Sequence, residues 1–185
     1  MPVAKRTLSA TERWIRFLGG IFDPRAWAHG LKILSYYNHS HVRPLRQLRR
    51  GKGCKISPTA TFAHSGRITF GDNVLIGEGC RVWAGPSEGQ VFIGNDVMLG
   101  PNVLITAANY RFGDGAPIRS QLMAEASVTI GADVWLGAGV IVLPGANIGA
   151  GSVIGAGAIV RGTIPPMSIA VGVPARVTGQ RFLSP

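Results

Sequence analysis

The chain has 185 residues, including 26 glycines, 12 prolines and two cysteines, and a formal net charge of +10. Cys54 and Cys80 are too few for a disulfide framework or a thiolate metal cluster. The charge is confined to one end: residues 1–55 hold twelve Lys or Arg against Glu12 and Asp23, and residues 56–185 hold seven Arg against seven acids, which argues against a nucleic-acid-binding body lined with cations.

Met1 to Arg16 has no continuous apolar core of the length a signal peptide needs, which with the sparse cysteines fits a reducing cytoplasm. Residues 8–50 predict one or two helices. Thr11 is the expected N-cap of the first, with Trp14, Ile15, Phe17 and Leu18 behind it; Asp23 or Pro24 starts the second, through Trp27, Leu31, Ile33 and Leu34. Arg43–Lys52, basic and polar, reads as a linker or a last turn.

Beyond this leader the pattern changes. Ile130, Leu136, Val142, Ile148, Ile154 and Val160 fall on every sixth position, and glycine follows four of them directly. Neither a helix nor a flat strand generates that period. A chain turning a corner every six residues does, with one aliphatic pointing inward per side and the glycine expected to relax the bend. The repeat extends backwards through Ile105, Leu99, Ile93, Val82, Ile76, Phe70, Phe62 and Ile56. Fourteen hexads at three per triangular coil predict an all-β solenoid, a parallel β-helix of four to five coils stacked about 4.8 Å apart. Cys80 takes a small inward slot, so its thiol is expected to be buried.

The uncharged stretch Val134–Val160 is long enough to cross a bilayer. Its lock to a period of six, with Pro144 and Asn147 inside it, argues for solenoid wall instead. Three interruptions predict loops, at His64–Ile68, Ala84–Gln90 and about Ala107–Ser127; the last is long enough to expect a function. Pro165-Pro166 is expected to end the wall. The predicted organisation is a basic helical segment over 1–52, a β-helix over 53–164 with the external loop 107–127, and a tail over 165–185. The leader either caps the open edge of the solenoid or presents a basic amphipathic surface to anionic lipid.

The hexads of Ile130–Val160, the segment Asp133-Val134-Trp135-Leu136-Gly137-Ala138-Gly139 and the run Ile164–Val177 with its Val173-Pro174-Ala175-Arg176 resemble the hexapeptide-repeat acyltransferases. Within these the chain is most similar to the sugar and polysaccharide O-acetyltransferases. The resemblance implies a left-handed β-helix, a homotrimer, and acetyl-CoA lying along the outer wall between subunits, with no metal. It also implies a saccharide acceptor, either a sugar nucleotide or a lipid-linked sugar, and a cytoplasmic enzyme, with peripheral contact to the inner membrane through the basic leader left open. Ala138 and Ala156 would let the pantetheine arm lie close, and Arg161 and Arg176 would pair with the CoA phosphates. Phe112, Asp114 and Trp135 are the expected acceptor-side residues; Trp135 either shields the cleft or packs on a neighbour.

The family carries an Asn-His pair in the long loop, whose histidine takes the acceptor's proton as a general base. Here the matching pair is Asn109-Tyr110, and phenols as a class titrate near about 10, too high for an ordinary base at neutral pH. Four arrangements stay open. His64, the one histidine within the wall, supplies the base, although hexad counting puts it about 10 Å from Ala107; His39 and His41 are further candidates, with His29 behind them. Tyr110 orients the acceptor while Asp114 handles the proton. Tyr110 donates to the thioester oxygen. Or the protein binds CoA or a sugar without turning it over.

Other occupants of the architecture fall away. A zinc carbonic anhydrase needs three wall histidines, and a nucleotidyltransferase needs a glycine-rich domain where the short basic leader stands. Ice-binding solenoids need threonine arrays, and a serine acetyltransferase a large helical leader.

Overall fold

Helices come first in the computed structural model, which describes residues 7–181 and divides the chain into the units Met1–His39 and Ser40–Pro185. Helix α1 spans Ala10–Ile21. Its N-cap is Ser9, two residues ahead of the expected Thr11, because Glu12 stands three residues on. Ser9 Oγ accepts the Glu12 N–H (3.2 Å) and the Glu12 carboxylate accepts the Ser9 N–H (2.8 Å). Helix α2 spans Pro24–Tyr37 and starts as expected: Asp23 Oδ1 accepts the Arg25 N–H, and Pro24 takes the first helical position.

In the second unit the segment read as a linker or a last turn holds one helical turn and a strand. Helix α3, Pro44–Gln47, leads into the strand Arg49–Arg50, which pairs in parallel with Thr69–Phe70. Around it, the His41 Nδ1–H donates to the Ala60 carbonyl (2.6 Å), Ser65 Oγ donates to Gln47 Oε1, and Leu45 and Leu48 join the core of the first coil.

The solenoid has three sheets of six, seven and five strands in about six turns, all stacked in parallel except the last of the second sheet, Arg176–Gln180, which folds back antiparallel on Ser168–Val171. The first sheet runs from Arg49–Arg50 through Ile68–Phe70, Val91–Ile93, Val128–Ile130 and Asn147–Ile148 to Thr163–Ile164. The second stacks in parallel Lys55–Ile56, Leu75–Ile76, Met98–Leu99, Trp135–Leu136, Val153–Ile154 and Ser168–Val171; the third holds Thr61–Ala63, Arg81–Trp83, Leu104–Thr106, Ile141–Val142 and Ile159–Val160. The hexad count of four to five coils is low because it begins at Ile56 and stops at Val160. The parallel strands outside those limits carry Arg50, Ile164 and Ala170 at the repeat position. The Pro165-Pro166 pair turns a corner and does not end the wall: Ile169 and Ala170 still pair with Val153 and Ile154. One coil below, the Gly149 N–H donates upward to the Ile164 carbonyl. Pro165 occupies the equivalent place on the last strand of its sheet, where no strand above needs the missing N–H.

Thirteen of the fourteen hexad aliphatics are buried and Ile56 is partly so. A second inward row of smaller side chains, among them Val74, Cys80, Val97, Val103, Val134 and Ala158, fills the space between them. Each fully buried Val, Leu or Ile adds about 1.5–3 kcal/mol. Cys80 lies in this row as expected, and burial pushes its thiol pKa up.

The glycines act differently from the expectation. Those directly after the aliphatic, such as Gly94 and Gly137, do not have positive φ. They are required by close approach: a Cβ on Gly94 would lie 2.7 Å from the Ala132 nitrogen, and one on Gly137 would lie 2.6 Å from the Ala156 nitrogen, both on the next coil. The left-handed residue of the bend comes two positions later, filled by Asn73, Asp96, Asn102, Asp133 or glycine, the types that tolerate it, and by Met167 at the last bend after the first sheet. Gly137→Ala should therefore destabilise the protein by about 1–3 kcal/mol, read as a lower midpoint in thermal unfolding. Gly19→Ala, on α1 with nothing within 4 Å, should leave the midpoint of the solenoid unchanged.

Candidate active site

All three interruptions of the repeat leave the wall at one corner. Ala63, Trp83 and Thr106 are in register on successive strands of the third sheet. The chain departs directly after each of them: at His64 into the turn Ser65–Arg67, at Ala84 into the loop to Gln90, and at Ala107 into the long excursion. In the next coil Leu143 follows Val142 with no insertion. Three stacked loops thus rise beside a plain wall, and a cleft of about 400 Å³ opens there.

The long excursion is a hairpin. Ala108–Tyr110 pairs antiparallel with Met123–Glu125, with Asn109 opposite Ala124 and Tyr110 opposite Met123. Its neck is fastened by the Ala126 N–H donating to the Ala107 carbonyl (3.0 Å) and by Thr106 Oγ1 donating to the Ala108 carbonyl (2.9 Å). Glu125 ties it to the neighbouring loop: its carboxylate accepts N–H bonds from Ser87 (3.1 Å), Glu88 (2.7 Å) and Gly89 (2.6 Å). Those amides, Gly89 first, hold the carboxyl pKa below its ordinary value. Gly85 and Gly89 leave the room: on Gly85 a Cβ would press on the Glu125 carboxylate, and on Gly89 it would lie 2.7 Å from the Ala107 carbonyl oxygen.

His64, Asn109 and Tyr110 all line the cleft, with Trp83, Thr106, Met123 and Leu143 among its walls. His64 has φ 54° and ψ 44°, left-handed for a residue with a side chain, and its ring is exposed. Two coils separate it from the hairpin's root, as hexad counting predicts, and the cleft spans the gap. The other expected residues lie elsewhere. Phe112 is on the hairpin's outer part, 81 % exposed. Asp114 Oδ1 accepts the Ala116 N–H (3.0 Å), bracing the hairpin turn. Trp135 is on the second sheet, in register with Met98 and Val153, away from this chain's own cleft.

The four residues expected at the cofactor form two neighbouring groups. Ala138 and Ala156 stack on the same corner, between second and third sheets, where the Gly157 N–H donates to the Ala138 carbonyl (2.9 Å). Arg161 follows the last strand of the third sheet, and Arg176 follows Ala175, whose N–H donates to Ile159 on that strand (2.8 Å). His41 is committed to Ala60 and absent from the cleft lining; His29 and His39 belong to the first unit. Among the described residues no group of three or more His, Cys, Asp or Glu could hold a metal ion.

Residues 127–162 match the model of the bacterial transferase hexapeptide (six repeats). A maltose O-acetyltransferase from Clostridium difficile 630 is 35 % identical, over 75 % of this chain and 73 % of that one, with a TM-score of 0.67. A galactoside acetyltransferase solved in complex with coenzyme A is 28 % identical, over 83 % and 79 % of the two chains, with a TM-score of 0.62. A protein of Mycobacterium tuberculosis named a probable acetyltransferase is 36 % identical over 175 residues; the match takes in 93 % of this chain and 57 % of that protein's length. The chain belongs to the hexapeptide-repeat acetyltransferase family.

The Glu125 tether gives a pH dependence. Its carboxyl pKa is lowered on folding below that of an ordinary glutamate, so the tether's contribution is complete above the unfolded-state value and is lost as pH falls through the lower folded-state value. Melting temperature followed from neutral to acid pH should fall less steeply in Glu125→Gln than in the parent, and Glu125→Gln should melt lower at pH 7.

Proposed function

We propose that the protein transfers an acetyl group from acetyl-CoA to a hydroxyl of a sugar or polysaccharide precursor in the cytoplasm. The observation that carries this reading is the convergence of His64, Asn109 and Tyr110 on one cleft at the corner where the loops leave the wall. His64 is the general base. Its imidazole takes the proton of the acceptor hydroxyl as that oxygen attacks the thioester carbonyl; the tetrahedral intermediate collapses and the CoA thiolate leaves, taking up a proton. The two-coil spacing, about 10 Å, leaves room for the hydroxyl and the thioester between His64 and the hairpin. Asn109 and Tyr110 orient the acceptor from the far side.

The CoA complex of the galactoside acetyltransferase relative supports the donor. Ala138 and Ala156 would flank the pantetheine arm, with Arg161 and Arg176 on the phosphates. Phe112 and the turn braced by Asp114 would meet the acceptor's outer rings, and a lipid-linked sugar as acceptor would bring the enzyme to a membrane surface. We take the working unit as a homotrimer. Leu75, Met98 and Trp135 form an outward apolar row on consecutive strands of the second sheet, 41 %, 48 % and 49 % exposed. Packing that row against a neighbour would carry Trp135 to the neighbour's cleft.

Coenzyme A should raise the melting temperature, and acetyl-CoA with an accepted sugar should release free thiol. His64→Ala should cut thiol release by about 10²–10⁴-fold with the CoA-induced thermal shift intact. Full activity in His64→Ala would move the base to Tyr110 or to a neighbouring subunit; a thermal shift without thiol release from any saccharide would favour a CoA-binding homologue, the reading that tyrosine in the family's histidine place supports.

A further inference from the structure

We propose that the first unit is a membrane-docking hairpin: α1 and α2 lie in the plane of an anionic bilayer, apolar faces inserted and cationic faces toward the headgroups. Neither helix has a buried residue. Trp14, Ile15, Phe17, Leu18, Ile21 and Phe22 of the first helix and its C-cap are all exposed, as are Trp27, Leu31, Ile33 and Leu34 of the second. These side chains are not scattered. At about 100° per residue the apolar residues of α1 gather on one arc, with Glu12, Arg13 and Arg16 opposite. On α2 Trp27, Leu31, Leu34 and Ile33 gather likewise, with Arg25, His29 and Lys32 opposite. Wide apolar arcs backed by cations and rich in tryptophan suit the boundary between headgroups and acyl chains.

The length and the charge select the occupant. At about 1.5 Å per residue the fourteen residues of α2 reach about 21 Å, short of the roughly 30 Å hydrocarbon core. No helix among the described residues is long and apolar enough to cross a membrane. The unit's two acids are engaged at helix N-termini, Glu12 in the Ser9 capping box and Asp23 as the α2 cap. Among the described residues none of Arg13, Arg16, Arg25 and Lys32 is in an ion pair. A second copy brings the same excess of cations in its leader and no net charge over residues 56–185. An anionic lipid surface supplies both the apolar depth and the countercharge.

The test is co-sedimentation of the full chain with vesicles of phosphatidylcholine alone or mixed equally with phosphatidylglycerol. Binding to the mixed vesicles should exceed binding to the neutral ones by at least about tenfold and weaken with added salt. Trp14→Glu with Leu31→Glu, and separately Arg25→Glu with Lys32→Glu, should each reduce it by about tenfold or more. The CoA-induced thermal shift should be unchanged in both variants, which separates this result from any failure of the acetyl-transfer reading. Absence of binding to the mixed vesicles overturns the proposal, as does binding that Trp14→Glu with Leu31→Glu leaves intact. A soluble assembly that this variant dissolves, with no vesicle binding, overturns it in favour of a second copy as the cover.

Discussion

Coil stacks on coil so closely that a single added methyl after the inward aliphatic would strike backbone, as at Gly94 and Gly137. The same closeness lets the ladder bonds form: the Gly131 N–H reaches Ile148 and the Gly137 N–H reaches Ile154, each at 2.8 Å. Side chains at the bends add further ties between coils. Asn95 accepts the Asp72 N–H (2.9 Å), and Asn73 donates to Asp96 (3.0 Å). A wall fixed along three directions leaves little freedom for function within its strands. It releases the chain where a bend can be opened without cutting a ladder, and the corner after the third sheet is used for this three times running.

That shared exit explains how chemistry reaches a scaffold made of repeats. Loops leaving at the same corner of successive coils must lie beside one another, so residues far apart in sequence become walls of one cleft. Glu125 turns this adjacency into a defined position. Its carboxylate fills a nest of three amides on the neighbouring loop, and it is paired with Ala108 in the hairpin register, one residue before Asn109 and Tyr110. The hairpin is thereby held at its base, while its outer part from Phe112 to Arg119 is exposed.

Period six made the core legible, since the aliphatics it marks are the ones buried, and counting hexads by threes put His64 and Ala107 on one face two coils apart. What escaped was whatever depends on neighbours in space. The role of the glycines became visible only with the next coil beside them, and the corner at Pro165-Pro166 only with the knowledge that no strand stacks above it. The strand Arg49–Arg50 carries no inward aliphatic and so left no hexad to count. Glu125 gave no signal at all, because its partners lie 36 to 38 residues away in another loop. Thr11 was a permissible cap; Ser9 prevails because only Ser9 has a glutamate three residues ahead to answer it.

Residue choice within the cleft separates demands of the fold from demands of chemistry. Tyr110 is exposed on a strand whose pairing is made by backbone, so the fold accepts many side chains there. His64 is different. Its backbone is left-handed, a conformation costing most residues with a side chain roughly 1–2 kcal/mol and one that glycine would adopt freely. Where the same backbone recurs at the regular bends, Asn, Asp and glycine fill it almost throughout, and their side chains or lack of them serve the stacking. His64 makes no such tie and turns an exposed imidazole into the cleft instead. Nothing in the packing asks for that ring, and a left-handed backbone carrying a side chain that folding does not require is what the proposed general-base role would account for.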